Sequence, residues 1–153
     1  MTIQFICRGN AFRSIIAQAY LNSLNIPNLT VLSSGTVASL NRELNRLNFS
    51  RTLTLLQKHG IRQYAKDHFA EDIDKNLLDK TDIVVCLNKV VYAEAESSFK
   101  LPKKTYIWDV TDLGEKDRIA TSDAEREIYS EDVYKEIVKN VNDLASLIVP
   151  QSD

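Results

Sequence analysis

The chain has 153 residues, the length of one ordinary domain, enough to bury roughly two thirds of its unfolded surface in one core. With 44% hydrophobic and 26% charged residues but only four glycines and three prolines, it is neither a low-complexity chain nor a linker. A formal net charge of -2, with basic residues scattered along the chain, argues against nucleic acid as a partner.

No uninterrupted apolar stretch is long enough to cross a bilayer, and the opening MTIQFIC lacks the basic flank and long apolar core of a secretion signal. The expectation is a cytoplasmic protein, one domain over residues 1–153, with no membrane partner. Its two cysteines, Cys7 and Cys86, are too few for a disulfide scaffold and are expected to be reduced thiols.

In chain order, TIQFIC is a short run of strand formers, and Ile16, Ala17, Tyr20, Leu21 and Leu24 then recur at helical spacing until Asn25 and Pro27 stop them. LTVLSSGT predicts a second strand ending near Ser33 at a glycine turn. FSRTLTLLQKHG predicts a helix with Phe49, Leu53 and Leu56 on one face and Gly60 as its stop. EDIDKNLLDKT reads as a short helix, DIVVCLN as a third strand, KVVYAEAESSF as a helix and KTYIWDV as a fourth strand. The last helix carries Val133, Ile137, Val141 and Leu144 as a stripe, with Ser130 as its expected amino-terminal cap.

Strands alternating with helices, three of the strands apolar on both faces, predict an α/β doubly wound fold: a four-stranded parallel sheet with helices on both faces. All strands then point one way. The loops at 7–13, 33–36, 88–89 and 109–114 gather along one sheet edge, where ligands of such folds bind.

The first of these loops, CRGNAFRS, runs from Cys7 to Ser14 between a strand and a helix. Such a loop presents backbone N–H groups to a common centre, and the helix amino terminus adds partial positive charge. Gly9 permits a backbone conformation with positive φ, and Asn10 is among the few other residues that tolerate one. Arg13 offers a planar fork for two phosphate oxygens at once. Thiols beside a helix amino terminus and an arginine ionise readily, and Ser14 is placed to donate to the sulfur of Cys7. A nucleophile at the base of an anion-binding loop suggests attack on phosphorus and a phosphocysteine intermediate, chemistry that needs no metal and no cofactor.

CRGNAFRS resembles the signature of the low-molecular-weight protein tyrosine phosphatases, related to the thioredoxin-coupled arsenate reductases. The likeness extends to SSGT at 33–36, KHGI at 58–61, DHFAEDI with His68, DIVVCLN, and TDLG at 111–114. It implies a flavodoxin-like fold with Cys7 as nucleophile, Arg13 as phosphoryl ligand, Ser14 assisting the thiolate, and Asn10, Ser33 and His68 holding the loop. Arg8, Gly9, Ala11 and Phe12 would complete the cradle. The implied partners are a phosphotyrosine protein or small aryl phosphate, with inorganic phosphate as product and inhibitor; spacing does not separate phosphotyrosine from phosphoarginine.

Two departures stand out. Ile15 and Gln18 replace the family's proline and glutamate, and Leu113 follows Asp112 where the family has proline after its general acid. For that acid the loop after the fourth strand offers Asp109 and Asp112; Asp112 lies further out, before Gly114, and is the favoured candidate. Phe12, Ala11, Leu40 and Leu113 are candidate substrate walls. Arsenate reduction through paired cysteines would need a partner thiol near Cys86 that the chain lacks. A phosphopeptide-binding adaptor without turnover is the other alternative.

Overall fold

The computed structural model describes residues 1–67 and 70–149. Four strands form one sheet: β1 (Thr2–Cys7), β2 (Thr30–Gly35), β3 (Ile83–Cys86) and β4 (Lys104–Ile107). Their order is β2-β1-β3-β4 and every pairing is parallel, so the expected topology is present. The helices are α1 (Arg13–Ser23), α2 (Arg42–Lys58), α3 (Lys75–Asp79), α4 (Lys89–Ser98) and α5 (Asp123–Ile148).

Strand alternation divides the core in two. Ile3, Phe5 and Cys7 of β1 face a large cluster with Ile15, Ile16 and Leu21 of α1, Leu56 of α2, and Val133, Ile137 and Val141 of α5. Ile6, Val84 and Cys86 face the other side, against Leu78 of α3 and Val91 and Ala95 of α4. The two cysteines therefore project from opposite faces of the sheet.

The sequence predicts three strands apolar on both faces, whereas of the four β3 alone is apolar throughout. β1 carries a buried Gln4, which stays inside because Nε2 donates to Thr81 Oγ1 and Oε1 accepts from Ser34 Oγ. β4 is an edge strand with Tyr106 and Ile107 exposed.

Two helices start earlier than periodicity suggests. α2 begins at Arg42 rather than near Phe49, because its first turns carry no apolar stripe: Leu44 and Leu47 are exposed and the buried residue there is Asn45. α5 begins at Asp123 and its cap is Ser122, whose Oγ accepts from the Glu125 N–H, while Thr121 pairs with the Glu125 carboxylate. Ser130 lies inside the helix and its hydroxyl donates to the Arg126 carbonyl. Gly60 does end α2, in the left-handed region at φ 75.

Candidate active site

β1 lies between β2 and β3, at the point where the winding of the sheet reverses, so the loop from Cys7 to Arg13 opens into the crevice that parallel sheets offer to ligands. Five of its carbonyl oxygens are bound away from the loop's centre. Cys7 O accepts from Thr36 N, Arg8 O from Val37 N, Asn10 O from Ala70 N, Phe12 O from Ile16 N, and Ala11 O from Thr52 Oγ1 at 2.6 Å. A peptide unit whose carbonyl points outward turns the following N–H inward, so the loop becomes a nest of donors. Among the described residues no side chain caps the amino terminus of α1, which leaves its first N–H groups to the same centre.

Within the nest, Cys7 Sγ lies 3.0 Å from Ser14 Oγ and 3.3 Å from the Asn10 N–H. Asn10 takes the left-handed conformation at φ 50. Gly9 does not: its role is space, because a Cβ there would stand 2.7 Å from Asn45 Oδ1, whose amide is held by the Ala38 carbonyl. Gly35 is equally constrained, since a Cβ would come within 2.5 Å of Arg8 O and 3.0 Å of Asn10 N. Its register partner is Cys7, so the end of β2 presses against the backbone of the loop.

Arg13 is 1% exposed. Nη1 donates to Val110 O at 2.9 Å, and Nη2 stands 3.3 Å from Asp112 Oδ2. Nε and Nη2 have no hydrogen-bond partner among the described residues, an expensive condition for a buried guanidinium unless a ligand takes those donors.

Asp112 joins this group from the loop after β4, with about a third of its side chain exposed at 32%. Burial pushes its carboxyl above the ordinary range, against the opposing pull of the Arg13 guanidinium and the Leu113 N–H that donates to Oδ1. Asp109 is exposed and is not drawn into the group. Arg118 braces the loop: Nη1 donates to Thr111 O, Nη2 pairs with Glu136 on α5, and the Arg118 carbonyl accepts from Gly114 N.

The remaining candidates divide. Arg8 turns its side chain from the cradle to Glu94 on α4, with Nε at 2.9 Å from Oε1, while Thr36 Oγ1 donates to the other oxygen of that carboxylate. Ser33 meets the loop only indirectly, because its hydroxyl donates to Gln18 Oε1 and its carbonyl accepts from Lys66 Nζ at 3.3 Å. Gln18 also donates to Val31 O, so this departure from the family pattern ties α1 to β2. Ile15, the other departure, is fully buried in the core. Ala11 is a core residue, Phe12 and Leu113 are half-buried against the same cluster, and Leu40 is 73% exposed. His68 lies outside the described residues.

Thr52, Lys66 and Arg118 were not singled out by sequence reasoning. Each acts from a distant segment, and none carries a local pattern that marks it.

Comparison with known proteins agrees with this geometry. The sequence profile described as low molecular weight phosphotyrosine protein phosphatase matches residues 2–148. Curated protein sequences give no match. Among solved structures, the fold is similar to Vibrio vulnificus Wzb in complex with benzylphosphonate, at 18% identity over 96% of this chain and 98% of that one, TM-score 0.73. It is similar to the low molecular weight protein tyrosine phosphatase of T. tengcongensis, at 20% identity over 97% and 99% of the two chains, TM-score 0.71. It also resembles a thioredoxin-dependent arsenate reductase of Corynebacterium glutamicum, at 20% identity over 96% of this chain and 61% of that one, TM-score 0.66. With a profile match over nearly its whole length and the cysteine loop at the head of a four-stranded parallel sheet, the chain belongs to the low molecular weight phosphotyrosine protein phosphatase family.

Proposed function

We propose that this protein hydrolyses phosphotyrosine or a similar aryl phosphomonoester through a phosphocysteine at Cys7. The observation that carries the reading is Arg13, a buried guanidinium whose Nε and Nη2 make no hydrogen bond among the described residues, beside a loop whose carbonyls are bound away from its centre. That arrangement fits a tetrahedral dianion better than any internal partner.

In the first step Cys7 Sγ attacks phosphorus in line with the leaving oxygen, the P–O bond breaks, and Asp112 delivers its proton to that oxygen. Backbone donors and Arg13 hold the equatorial oxygens. A phosphoryl dianion on Arg13 takes up charge that otherwise favours the Asp112 carboxylate, so substrate binding itself promotes the protonated acid. In the second step Asp112 takes a proton from water, the water oxygen bonds to phosphorus, and the S–P bond breaks to return the thiolate and release inorganic phosphate. Ser14, 3.0 Å from Sγ, stabilises that leaving thiolate.

The family supplies the phosphotyrosine class, and the benzylphosphonate held by the Vibrio vulnificus relative has the form of an aromatic phosphomonoester. A free-thiol nucleophile suits a reducing compartment such as the cytoplasm. The paired-thiol route of arsenate reduction finds no support, because Cys86 faces the opposite side of the sheet and burial pushes its thiol up to about 12. The test is hydrolysis of p-nitrophenyl phosphate by reduced protein, with and without a chelator. Turnover is expected in both, with phosphate as a competitive inhibitor; binding of phosphate without turnover would favour the adaptor.

A further inference from the structure

We propose that Lys66 is a positioning residue for the nucleophile, acting on Cys7 through the Asn10 amide and the Ser14 hydroxyl; the idea rests on Cys7 being the reactive thiol of the proposed function. Lys66 lies beyond the turn at Arg62–Tyr64, with a side chain only 11% exposed. Its Nζ donates to Asn10 Oδ1 at 2.5 Å and to Ser33 O at 3.3 Å, and stands 3.5 Å from Glu71 Oε2. The Glu71 N–H donates to the same Asn10 oxygen at 3.0 Å.

An ammonium and a backbone N–H can only donate, so together they fix which end of the fully buried Asn10 amide is oxygen. Nδ2 is then the end that meets Ser14 Oγ, at 2.9 Å. Because Nδ2 also only donates, Ser14 Oγ must accept there, and its single hydrogen is left for Cys7 Sγ at 3.0 Å. Lys66 and the Glu71 N–H therefore set the direction of the last hydrogen bond, and the cation at the end of the chain polarises every link between.

Lysine is rarely sequestered to this degree without a partner that uses its charge. Glu71, itself 47% exposed, is a loose counter-ion at 3.5 Å, and the one short contact of Lys66 goes to Asn10 instead. The ammonium shares an open cavity of about 750 Å³ with Arg42, Asp67, Asp72 and Asp74, which leaves room for a larger cation at this position.

The test reads thiol reactivity rather than phosphate release, so it is decided even if the protein proves not to be a phosphatase. The rate of alkylation of Cys7 by iodoacetamide is measured by peptide mass at one mildly acidic pH. It is compared in the natural protein, Lys66→Met, Ser14→Ala and the double variant. Lys66→Met is expected to slow alkylation about five- to tenfold, the worth of about one ordinary hydrogen bond felt through the two intervening links. Ser14→Ala should slow it at least as much, and adding Lys66→Met to Ser14→Ala should change little. An unchanged rate in Lys66→Met, or losses that multiply in the double variant, would overturn the proposal. Lys66→Arg keeps a cationic donor and should stay within about twofold of the natural rate. An equal loss in Lys66→Arg and Lys66→Met would mark a packing defect and equally overturn it. Should Lys66→Met not fold, Lys66→Gln takes its place in each comparison.

Discussion

Replacing Asp112 by asparagine removes a proton donor while preserving shape. Oδ1 of Asp112 accepts from the Leu113 N–H at 2.8 Å, and an asparagine oxygen can keep that bond. Its amide nitrogen then faces Arg13 Nη2, 3.3 Å from the present Oδ2, so a donor meets a donor. That misfit costs about 1 kcal/mol, or roughly 2–4 °C in Tm for a domain of this size. General acid catalysis is worth about 10²–10⁴-fold, and the loss scales with how badly the leaving oxygen needs a proton. Phenyl phosphate should therefore lose about 10²-fold or more in kcat/KM, which reports the first step alone, and p-nitrophenyl phosphate about tenfold or less. Phosphate binding should not weaken, because the carboxylate competing for Arg13 is gone. The pH profile gives a second reading. Burial raises the Asp112 pKa, so the carboxyl stays protonated above the ordinary carboxylate value near 3.9, and activity falls on the alkaline side as it ionises. Asp112→Asn should abolish that alkaline limb. Equal losses for the two substrates with the limb intact would refute the assignment of the acid.

Gly35→Ala forces a Cβ to within 2.5 Å of the Arg8 carbonyl, which is backbone and cannot swing aside; about 1–3 kcal/mol of stability should be lost, read by urea denaturation, together with most phosphate binding. Arg118→Ala strips the Thr111 carbonyl and Glu136 of their partner, so kcat/KM for phenyl phosphate should fall several-fold more than kcat/KM for p-nitrophenyl phosphate. A matched fall for both would show that the brace does not serve the acid. Cys86 should resist alkylation in the folded protein, since its thiol is pushed up to about 12 and is fully buried, and Cys86→Ala should cost about 1–2 kcal/mol in stability without reducing kcat.

The cysteine loop is legible in the sequence because its parts are contiguous: an apolar strand, CRGNAFRS and the start of a helix follow one another without a gap. The alternation of strands and helices is legible for the same local reason. The partners that shape the loop are not, since Thr36, Thr52 and Ala70 reach it through tertiary contacts that leave no periodic trace. Gly9 and Asn10 show what stays hidden: the sequence allows a positive φ at either, and the structure puts it at Asn10 while Gly9 makes way for Asn45. The early turns of α2 and α5 escape periodicity because they bury no apolar stripe, with Leu44, Leu47 and Ile128 exposed. The capping box of Ser122 and Glu125 was the available signal for the start of α5, and the apolar stripe that begins at Val133 obscured it.

The central claim is that phosphorus passes through the sulfur of Cys7, and the most direct measurement is mass analysis of the protein acid-quenched during turnover of p-nitrophenyl phosphate. The account predicts a phosphate adduct on the peptide containing Cys7, absent from Cys7→Ser together with the turnover itself. Steady release of p-nitrophenol by Cys7→Ser, or an adduct on any other residue, would contradict it.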